Sequence, residues 1–233
     1  MIDWHSHILP GMDDGCRDVA ESILLMNMQR SQGISTVVAT PHFYANDEPV
    51  SSFLERRQKA FDSLKKELPE GSPEILLGAE VRYYSGISRM ADLRSLKIEN
   101  SKLLLLEMPM ASWGEYTVRE LVELSGKGGF KIVLAHVERY LDLQKQSVWK
   151  RIYESGILMQ VNASFFISFS TKRKALALLK DGGIHFIGSD CHNIKTRPPQ
   201  LGKAYEIIQK KHGEKCLYQM NEYGRSLLAT VNN

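Results

Sequence analysis

The sequence predicts an α/β protein that folds as one closed barrel of parallel strands, and three observations lead to this prediction. Short apolar runs alternate with amphipathic segments about seven times along the 233 residues, which is typical of a parallel sheet covered by helices. Imidazole and carboxylate side chains follow the runs from the first to the last, and a closed barrel brings all of these strand ends to one mouth. The length is normal for a single barrel domain over residues 1–233, and a hydrophobic content of 43% suffices for a large core.

Each predicted strand is an apolar run of three to five residues. Strands of a parallel sheet are covered on both faces and therefore appear in a sequence as continuous aliphatic runs. The predicted strands are Ile2–Trp4, Thr36–Ala39, Ile75–Ala79, Leu103–Glu107, Ile132–Ala135, Leu158–Val161 and Ile184–Ile187.

Helix start and stop signals delimit the segments between the strands. Asp18 precedes the first helix as its N-cap, and Gly33 closes that helix. Ser52, with Glu55 three residues later, predicts a capping box at the start of a helix over Phe53–Leu68. The other predicted helices are Glu115–Leu124, closed by Gly126, and Leu201–Lys211 and Glu222–Thr230, which would cover the outside of the barrel.

The composition argues against several classes of protein. The 30 Lys+Arg and 27 Asp+Glu leave a net charge of +3, which is too small to predict binding to nucleic acid or to an anionic membrane. Cys16, Cys191 and Cys216 are odd in number and widely spaced, so no disulfide framework is expected. The sequence shows no secretory signal and no apolar stretch near the roughly 20 residues that span a bilayer. We therefore expect a cytoplasmic protein with no integral membrane segment.

Nine side chains at or near the ends of the apolar runs are candidate metal ligands. An acid that ends an aliphatic run, as Glu80 and Glu107 do, is close to buried and must be paired or bound to a metal. His5 and His7 lie two apart on an extended strand and point to the same side. A satisfied core histidine or a helix cap explains any one of these residues, but explains the whole set poorly. The candidates are His5, His7, Asp14, His42, Glu80, Glu107, His136, Asp190 and His192.

The candidate ligands lie in six groups of short segments: Met1–Leu9 with Met12–Gly15, Ala39–His42, Gly78–Glu80, Leu106–Pro109, Ala135–Tyr140 and Ser189–Asn193 with Arg197–Pro199. These segments resemble the polymerase and histidinol phosphatase (PHP) superfamily, and within it the bacterial capsule-operon branch of manganese-dependent protein-tyrosine phosphatases. The resemblance implies a distorted (β/α)7 TIM-like PHP barrel.

The sequence departs from relatives at two places. Val137 stands where a proline commonly follows the histidine that corresponds to His136. The stretch between Asn162 and Ile184 looks shorter than in relatives, which bears on substrate preference more than on chemistry.

The resemblance also implies three divalent metal ions and a phosphate site. The implied ligands are His5, His7, Glu80 and Asp190 for the first ion, Glu80 as a bridge with Glu107 and His136 for the second, and Asp14, His42 and His192 for the third. Arg139 and Arg197 are implied to bind the phosphate. Independently of the resemblance, mixed imidazole and carboxylate ligands suit Mn, Fe or Zn without separating them.

The ligand types predict hydrolysis of a phosphate ester. A divalent ion lowers the pKa of bound water to about 7 and so supplies a hydroxide nucleophile without an activated side chain. Arg139 and Arg197 offer planar forks to the charged phosphoryl oxygens, although a surface salt bridge is the commoner role of an arginine. Asp3 and Glu138 are candidates to orient the histidines, with purely structural roles as the alternative.

A rival mechanism uses a cysteine nucleophile. The spacing from Cys191 to Arg197 is Cys-x5-Arg, as in cysteine-dependent tyrosine phosphatases, whose thiolate attacks the phosphate. The intervening residues contain no glycine, Pro198 follows the arginine, and Asp190 and His192 are required as ligands. We therefore expect Cys191 to be a small space-filling residue.

The sequence thus predicts a metal-dependent protein-tyrosine phosphatase, which the resemblance connects with capsular or exopolysaccharide synthesis. The implied partner is a tyrosine-phosphorylated protein such as a bacterial tyrosine kinase. Two alternatives stay open: a histidinol-phosphate or other small-molecule phosphatase, and a nonenzymatic metal-binding regulatory module. Aromatic residues after the ligand-bearing strands either wall a pocket for a phenyl ring or cap the barrel; they are Phe43, Tyr44, Tyr83, Tyr84, Trp113 and Tyr116.

Overall fold

Strands and helices alternate along the computed structural model, which describes residues 1–126 and 129–229. The strands are β1 Ile2–Ser6, β2 Thr36–Ala39, β3 His42–Phe43, β4 Glu74–Leu77, β5 Glu80–Arg82, β6 Leu103–Glu107, β7 Lys131–Leu134, β8 Leu158–Asn162 and β9 Phe186–Gly188. The helices are α1 Val19–Ser31, α2 Val50–Glu67, α3 Glu115–Gly126, α4 Gln146–Glu154, α5 Ala163–Ile167, α6 Lys172–Lys180, α7 Leu201–His212 and α8 Glu214–Leu228. Within the described residues, no helix is long and apolar enough to cross a membrane.

The strands form a distorted parallel barrel with seven strand positions, which confirms the predicted fold. β1 pairs with β2 and β2 with β4, and the order β3-β5-β6-β7-β8-β9 continues the wall. The second predicted strand is divided into β2 and β3, and the third into β4 and β5. Hydrogen bonds continue across these breaks, because Gly78 N–H donates to the Ala39 carbonyl and Glu80 N–H donates to the Pro41 carbonyl.

The first and last strands close the barrel at the end where the candidate ligands lie. A parallel bridge joins Ser6 to Cys191. Asp190 N–H donates to the carbonyl of His5 at 2.8 Å, and His7 N–H donates to the carbonyl of Cys191 at 3.0 Å. The segment after β9 is therefore fixed directly beside the end of β1.

A bulge in β1 determines where its histidines point. Asp3 pairs with Val37 and Ser6 with Ala39, so β1 advances three residues while β2 advances two. An extra residue of this kind reverses the alternation of side chains beyond it. Trp4 belongs to the cluster inside the barrel, whereas Asp3 accepts a hydrogen bond from Gln29 of α1 on the outside.

Two apolar clusters hold the barrel together. The inner cluster contains Ile2, Trp4, Leu105 and Phe186, with Leu228 of α8 packed against it. The outer cluster joins the other face of the strands to the helices that surround the barrel. Both faces of the strands are covered by these clusters, which is why the strands appear in the sequence as continuous aliphatic runs.

Two predicted helix boundaries are wrong. The helix predicted from Phe53 begins at Val50, so Ser52 and Glu55 lie inside α2 and form no capping box; the N-cap is Pro49, which makes no side-chain cap. The last helix begins at Glu214 rather than Glu222, and Thr230 lies outside the described residues. The Asp18 cap is confirmed, because its carboxylate accepts from Glu21 N–H at 2.9 Å.

Candidate metal centre and active site

All nine candidate ligands lie together at the carboxyl-terminal mouth of the barrel. Parallel strands end at the same side of a barrel, so each strand can contribute one side chain to a common site. Seven of the nine are buried, while His42 is partly exposed and the Asp14 side chain is 66% exposed. Their origins are β1 and its end for His5 and His7, the loop after β1 for Asp14, β3 for His42, β5 for Glu80, β6 for Glu107, the end of β7 for His136, and the segment after β9 for Asp190 and His192.

Glu80 lies at the centre of the cluster. Its Oε2 is 3.2 Å from His5 Nε2, 3.4 Å from His7 Nε2 and 3.0 Å from His42 Nδ1. Its Oε1 is 2.7 Å from His136 Nε2. Burial alone would raise the pKa of Glu80, but the surrounding imidazoles lower that pKa well below its usual value. The carboxylate is therefore ionised in a position from which it can bridge neighbouring ions.

Hydrogen bonds fix the tautomers of His5 and His7. Gln160 Oε1 accepts the N–H of His136 at 2.7 Å and lies 3.2 Å from His5 Nδ1, so this nitrogen carries the proton. Asp13 Oδ2 accepts from His7 Nδ1 at 2.7 Å. The two Nε2 atoms face each other at 3.1 Å. Ligands held at about 2.1 Å from one ion, at right angles, are about 3 Å apart, so this spacing fits a shared cation.

A second observation that fits bound cations is an unpaired buried nitrogen on His192. Its Nδ1 donates to the carbonyl of Asp190 at 3.0 Å, while its Nε2 is buried without a hydrogen-bond partner. That Nε2 lies 3.3 Å from Asp14 Oδ1, and His42 Nε2 lies 3.6 Å from the same oxygen. Burial is the largest cause that lowers the pKa of His192, to about 4. The ring is therefore neutral near pH 7, as a metal ligand must be.

The candidate ligands form three groups, and within each group the ligand atoms all lie within 4.8 Å of one another. These groups agree only in part with the three ligand sets that the resemblance implies. The groups are His5, His7 and Asp190; His7, Asp14, His42 and His192; and His42, Glu80 and Glu107. In the third group His42 stands where His136 was expected, although His136 Nε2 is 3.8 Å from Glu107 Oε1. Imidazole nitrogens mixed with carboxylate oxygens are a donor set that fits divalent transition metals.

Asp190 connects the histidines to the two arginines. Its Oδ1 lies 3.4 Å from His7 Nε2. Its Oδ2 accepts from Arg139 Nη2 at 2.7 Å, lies 2.8 Å from Arg197 Nη2, and accepts from Asn162 Nδ2 at 2.7 Å. One carboxylate oxygen thus faces the ligand cluster while the other holds both guanidinium groups beside it.

Five of the nine candidate ligands line one cavity of about 360 Å³ together with both arginines. Its walls include Glu80, Glu107, His136, Asp190, Arg139 and Arg197. Tyr44 also lines this cavity, whereas Phe43, Tyr83 and Trp113 are buried in the core. An anionic group that enters the cavity meets fixed positive charge on one wall and candidate metal ligands on its floor.

Cys191 lies outside this cavity. The side chain is fully buried, with Sγ 3.8 Å from Gln29 Nε2 on the side of α1. Burial raises the pKa of the thiol well above its usual value. A protonated thiol that faces the helices is not placed to attack a phosphate, so the geometry disfavours the cysteine mechanism and agrees with a space-filling role.

Several residues that hold the site were missed by the sequence reasoning. Asp13, Gln160 and Asn162 hydrogen-bond the ligands, and Arg82 donates to Glu107 Oε2 at 2.7 Å. A usable signal existed in β8, where Gln160 and Asn162 alternate as polar residues in an otherwise apolar run. The Asp-Asp pair before Gly15 was a second signal, because neighbouring acids can divide ligand and supporting roles.

For Asp3 and Glu138 the structural alternative applies. Asp3 accepts hydrogen bonds from the N–H groups of His5 and Ser189. Glu138 accepts from the N–H of Asn162. These carboxylates hold the backbone near the mouth, and the hydrogen bonds that they accept include none from an imidazole nitrogen among the described residues.

The sequence matches a known family model over nearly its whole length. The model is described as "Capsular polysaccharide synthesis, CpsB/CapC", and it matches residues 1–224. The chain belongs to this family. Two curated CpsB/CapC relatives are the tyrosine-protein phosphatase YwqE of Bacillus subtilis, 34% identical over 98% of this chain and 91% of its own length, and the tyrosine-protein phosphatase CpsB of Streptococcus agalactiae, 32% identical over 94% of each chain.

Solved structures agree with membership of the CpsB/CapC family. A chain from the crystal structures of YwqE from Bacillus subtilis and CpsB from Streptococcus pneumoniae, described as metal-dependent tyrosine phosphatases, matches with a TM-score of 0.83 and 30% identity, over 98% of this chain and 94% of that chain. Histidinol phosphate phosphatase from Lactococcus lactis matches with a TM-score of 0.51 and 12% identity, over 90% and 92% of the two chains. The second match shows a shared fold alone.

Proposed function

We propose that this chain is a metal-dependent tyrosine-protein phosphatase that acts in the regulation of capsular or exopolysaccharide synthesis. The observation that carries the proposal is Asp190, which faces the imidazoles with one oxygen and holds Arg139 and Arg197 with the other. Metal-dependent hydrolysis of a phosphate ester uses metal ligands and fixed positive charge side by side, and this arrangement supplies both. Family membership and the tyrosine-phosphatase relatives support the choice of substrate.

We assign the nine residues at the mouth to three divalent ions, with Mn favoured over Fe or Zn. His5, His7, Glu80 and Asp190 would hold the first, Glu80, Glu107 and His136 the second, and Asp14, His42 and His192 the third. When bound, such ions lower the pKa of a coordinated water and neutralise charge on the phosphoryl oxygens. The fixed Nδ1–H groups of His5 and His7 leave their Nε2 lone pairs available for binding.

The protein's own residues bind and orient the phosphate. Arg139 and Arg197 each contact Asp190 through Nη2, Arg197 Nη1 also lies 4.0 Å from Asp14 Oδ2, and the two side chains are 35% and 40% exposed at the mouth. Planar guanidinium forks match the oxygens of a phosphoryl group. Since Asp190 already orients both groups, little reorganisation is needed when charge grows on those oxygens in the transition state.

We infer that a phosphotyrosine side chain suits a site built at the strand ends. The ligands lie at strand ends below a rim of loops, so a phosphate must reach them on a long, slender side chain while the rest of a protein substrate stays outside. Phosphoserine has a shorter stem. We therefore propose a tyrosine-phosphorylated protein in the cytoplasm as the partner, such as a bacterial tyrosine kinase.

A metal-replacement assay with a substrate panel tests the proposal. Chelation should abolish phosphatase activity and Mn should restore it, with phosphotyrosine peptides hydrolysed much faster than phosphoserine peptides or histidinol phosphate. A preference for histidinol phosphate would reject the tyrosine assignment and leave the metal chemistry standing. Failure to hydrolyse any phosphomonoester with metals bound would favour the nonenzymatic alternative.

A further inference from the structure

One aromatic side chain, Tyr44, stands apart from the other five that follow the ligand-bearing strands. Phe43 is fully buried against Phe53, with ring centroids 5.1 Å apart. Tyr83 donates its hydroxyl to Glu120. These residues belong to the core and cannot meet a substrate.

The remaining aromatic residues also lie away from the cavity. Trp113 packs between Tyr140 and Trp149, with ring centroids 5.4 Å and 5.6 Å away. Tyr84 is partly buried and Tyr116 is exposed, and neither forms part of the cavity wall. Among the described residues that line the cavity, Tyr44 is therefore the one with a phenyl ring.

Contacts on one side fix the Tyr44 ring. It stacks on the imidazole of His42 with centroids 5.4 Å apart and an interplanar angle of 29°. A turn in which Asp47 N–H donates to the Tyr44 carbonyl at 3.0 Å holds the backbone. The residue is still 38% exposed, so part of the ring remains open at the rim. The ring is thus oriented before any ligand arrives.

The cavity offers groups that suit both parts of an aryl phosphate. Arg139 and Arg197 on Asp190 mark the anionic end, and Tyr44 shares the cavity with them. Tyr44 also borders a second cleft of about 340 Å³, lined by Asp14, Asp47 and Arg56 among others. Polypeptide that flanks a phosphorylated side chain therefore has room to pass beyond the ring.

We propose that Tyr44 determines specificity for aryl phosphates by stacking on the leaving-group ring while the arginines hold the phosphate. This inference rests on the proposed function and adds the residue that selects the aryl group. Offset-stacked or edge-to-face aromatic pairs gain affinity beyond simple burial, by a factor of about two to ten. A ring already fixed on His42 loses little conformational freedom on binding.

The test compares an aryl ligand with an alkyl ligand that cannot be hydrolysed. Phenylphosphonate and methylphosphonate are measured as competitive inhibitors of the Mn-loaded enzyme, so leaving-group chemistry does not enter. Tyr44→Leu should weaken phenylphosphonate about three- to tenfold, change methylphosphonate less than twofold, and raise KM for a phosphotyrosine peptide more than it lowers kcat. Tyr44→Phe, which keeps the ring, should restore most of the phenylphosphonate affinity.

Tyr116→Leu is the matched control, because Tyr116 is also exposed and follows a ligand-bearing strand but does not line the cavity. It should leave both inhibition constants unchanged. Equal weakening of both phosphonates by Tyr44→Leu would show that Tyr44 acts through His42 and the metals, which overturns the inference. No change in either constant overturns it too. If wild-type enzyme hydrolyses phosphotyrosine in those cases, the proposed function survives; if it does not, both fail.

Discussion

Gln160 of β8 is the residue whose substitution tests the metal centre most directly. The side chain is fully buried. Its Oε1 accepts the N–H of His136 at 2.7 Å and lies 3.2 Å from His5 Nδ1, while its Nε2 donates to Asn162 Oδ1 at 3.0 Å. Gln160→Met keeps the length of the side chain but removes every hydrogen-bonding group. Two buried donors and one buried acceptor then lose their partner.

The expected losses differ for folding and for metal binding. Each unsatisfied buried donor costs about 1–3 kcal/mol, so the two donors alone should lower the free energy of unfolding by about 2–6 kcal/mol. Loss of a partner that orients a ligand histidine lowers metal affinity about 10- to 100-fold, or about 1.4–2.7 kcal/mol. Gln160→Glu keeps the acceptor for His5 and loses the donor to Asn162. Its metal affinity should therefore stay nearer to the wild-type value than that of Gln160→Met.

The assay separates the two effects. Mn affinity is measured by calorimetric titration at a temperature where each variant is folded, and urea unfolding of the metal-free protein gives stability. Gln144→Met is the matched control, because Gln144 is also buried, accepts from Trp113 N–H at 2.8 Å and donates to the Ala111 carbonyl at 2.8 Å. Both Met variants should lose stability, and only Gln160→Met should lose Mn affinity.

Two results would refute the reasoning about Gln160. Wild-type Mn affinity in a folded Gln160→Met variant would mean that the tautomer of His5 does not need this partner. An equal loss of Mn affinity in Gln144→Met would mean that general destabilisation, rather than orientation of His5, controls metal binding.

Three further substitutions give distinct outcomes. Arg139→Ala should lower kcat by about 10²-fold with unchanged metal content, because the variant loses a preorganised hydrogen-bond donor. Normal turnover would show that Arg139 forms only a salt bridge and does not stabilise the transition state. Cys191→Ser should keep kcat within about tenfold in steady-state assays, because the thiol lies outside the cavity. Glu120→Gln should lower the free energy of unfolding by about 1–3 kcal/mol at pH 7. Burial would raise the pKa of Glu120, but hydrogen bonds from Tyr83 and Ser88 lower it. The ionised form therefore adds stability at pH values above the unfolded pKa of about 4.3. Urea unfolding should show the stability difference between wild type and Glu120→Gln shrinking as the pH falls below about 4.

The ligand cluster could be predicted from sequence because barrel geometry converts order along the chain into proximity. Glu80 and Glu107 each end an apolar run, and parallel strands bring such ends to one mouth. For these two ligands no knowledge of loop conformation was needed. Which ligands share an ion depends on small differences between side-chain distances, and these could not be predicted. In the structure His42, rather than His136, groups with Glu80 and Glu107.

The supporting contacts could not be predicted in the same way. The bulge in β1 allows Trp4 to pack inside the barrel while His5 reaches Glu80, and strict alternation would have sent them to opposite faces. Asp13 reaches His7 only because the loop after β1 folds back, so that Cys16 N–H bonds to the His7 carbonyl. The Ser52 capping box failed because α2 begins earlier, at Val50, and tertiary packing there overrides a local signal.

None of the nine candidate ligands lies on β8, and the residues that follow its two neighbouring strands give a physical reason. His136 after β7 and Asp190 after β9 both adopt left-handed backbone, with φ of 36° and 51°, which costs about 1–2 kcal/mol for each residue. Gln160 accepts the N–H of His136, and Asn162 donates to Asp190. A neutral hydrogen bond contributes about 0.5–1.5 kcal/mol and one to a charged group about 1.5–3 kcal/mol, enough to offset most of that strain. A carboxylate at position 162 would face the Asp190 carboxylate and repel it, whereas the amide of Asn162 donates a hydrogen bond to it.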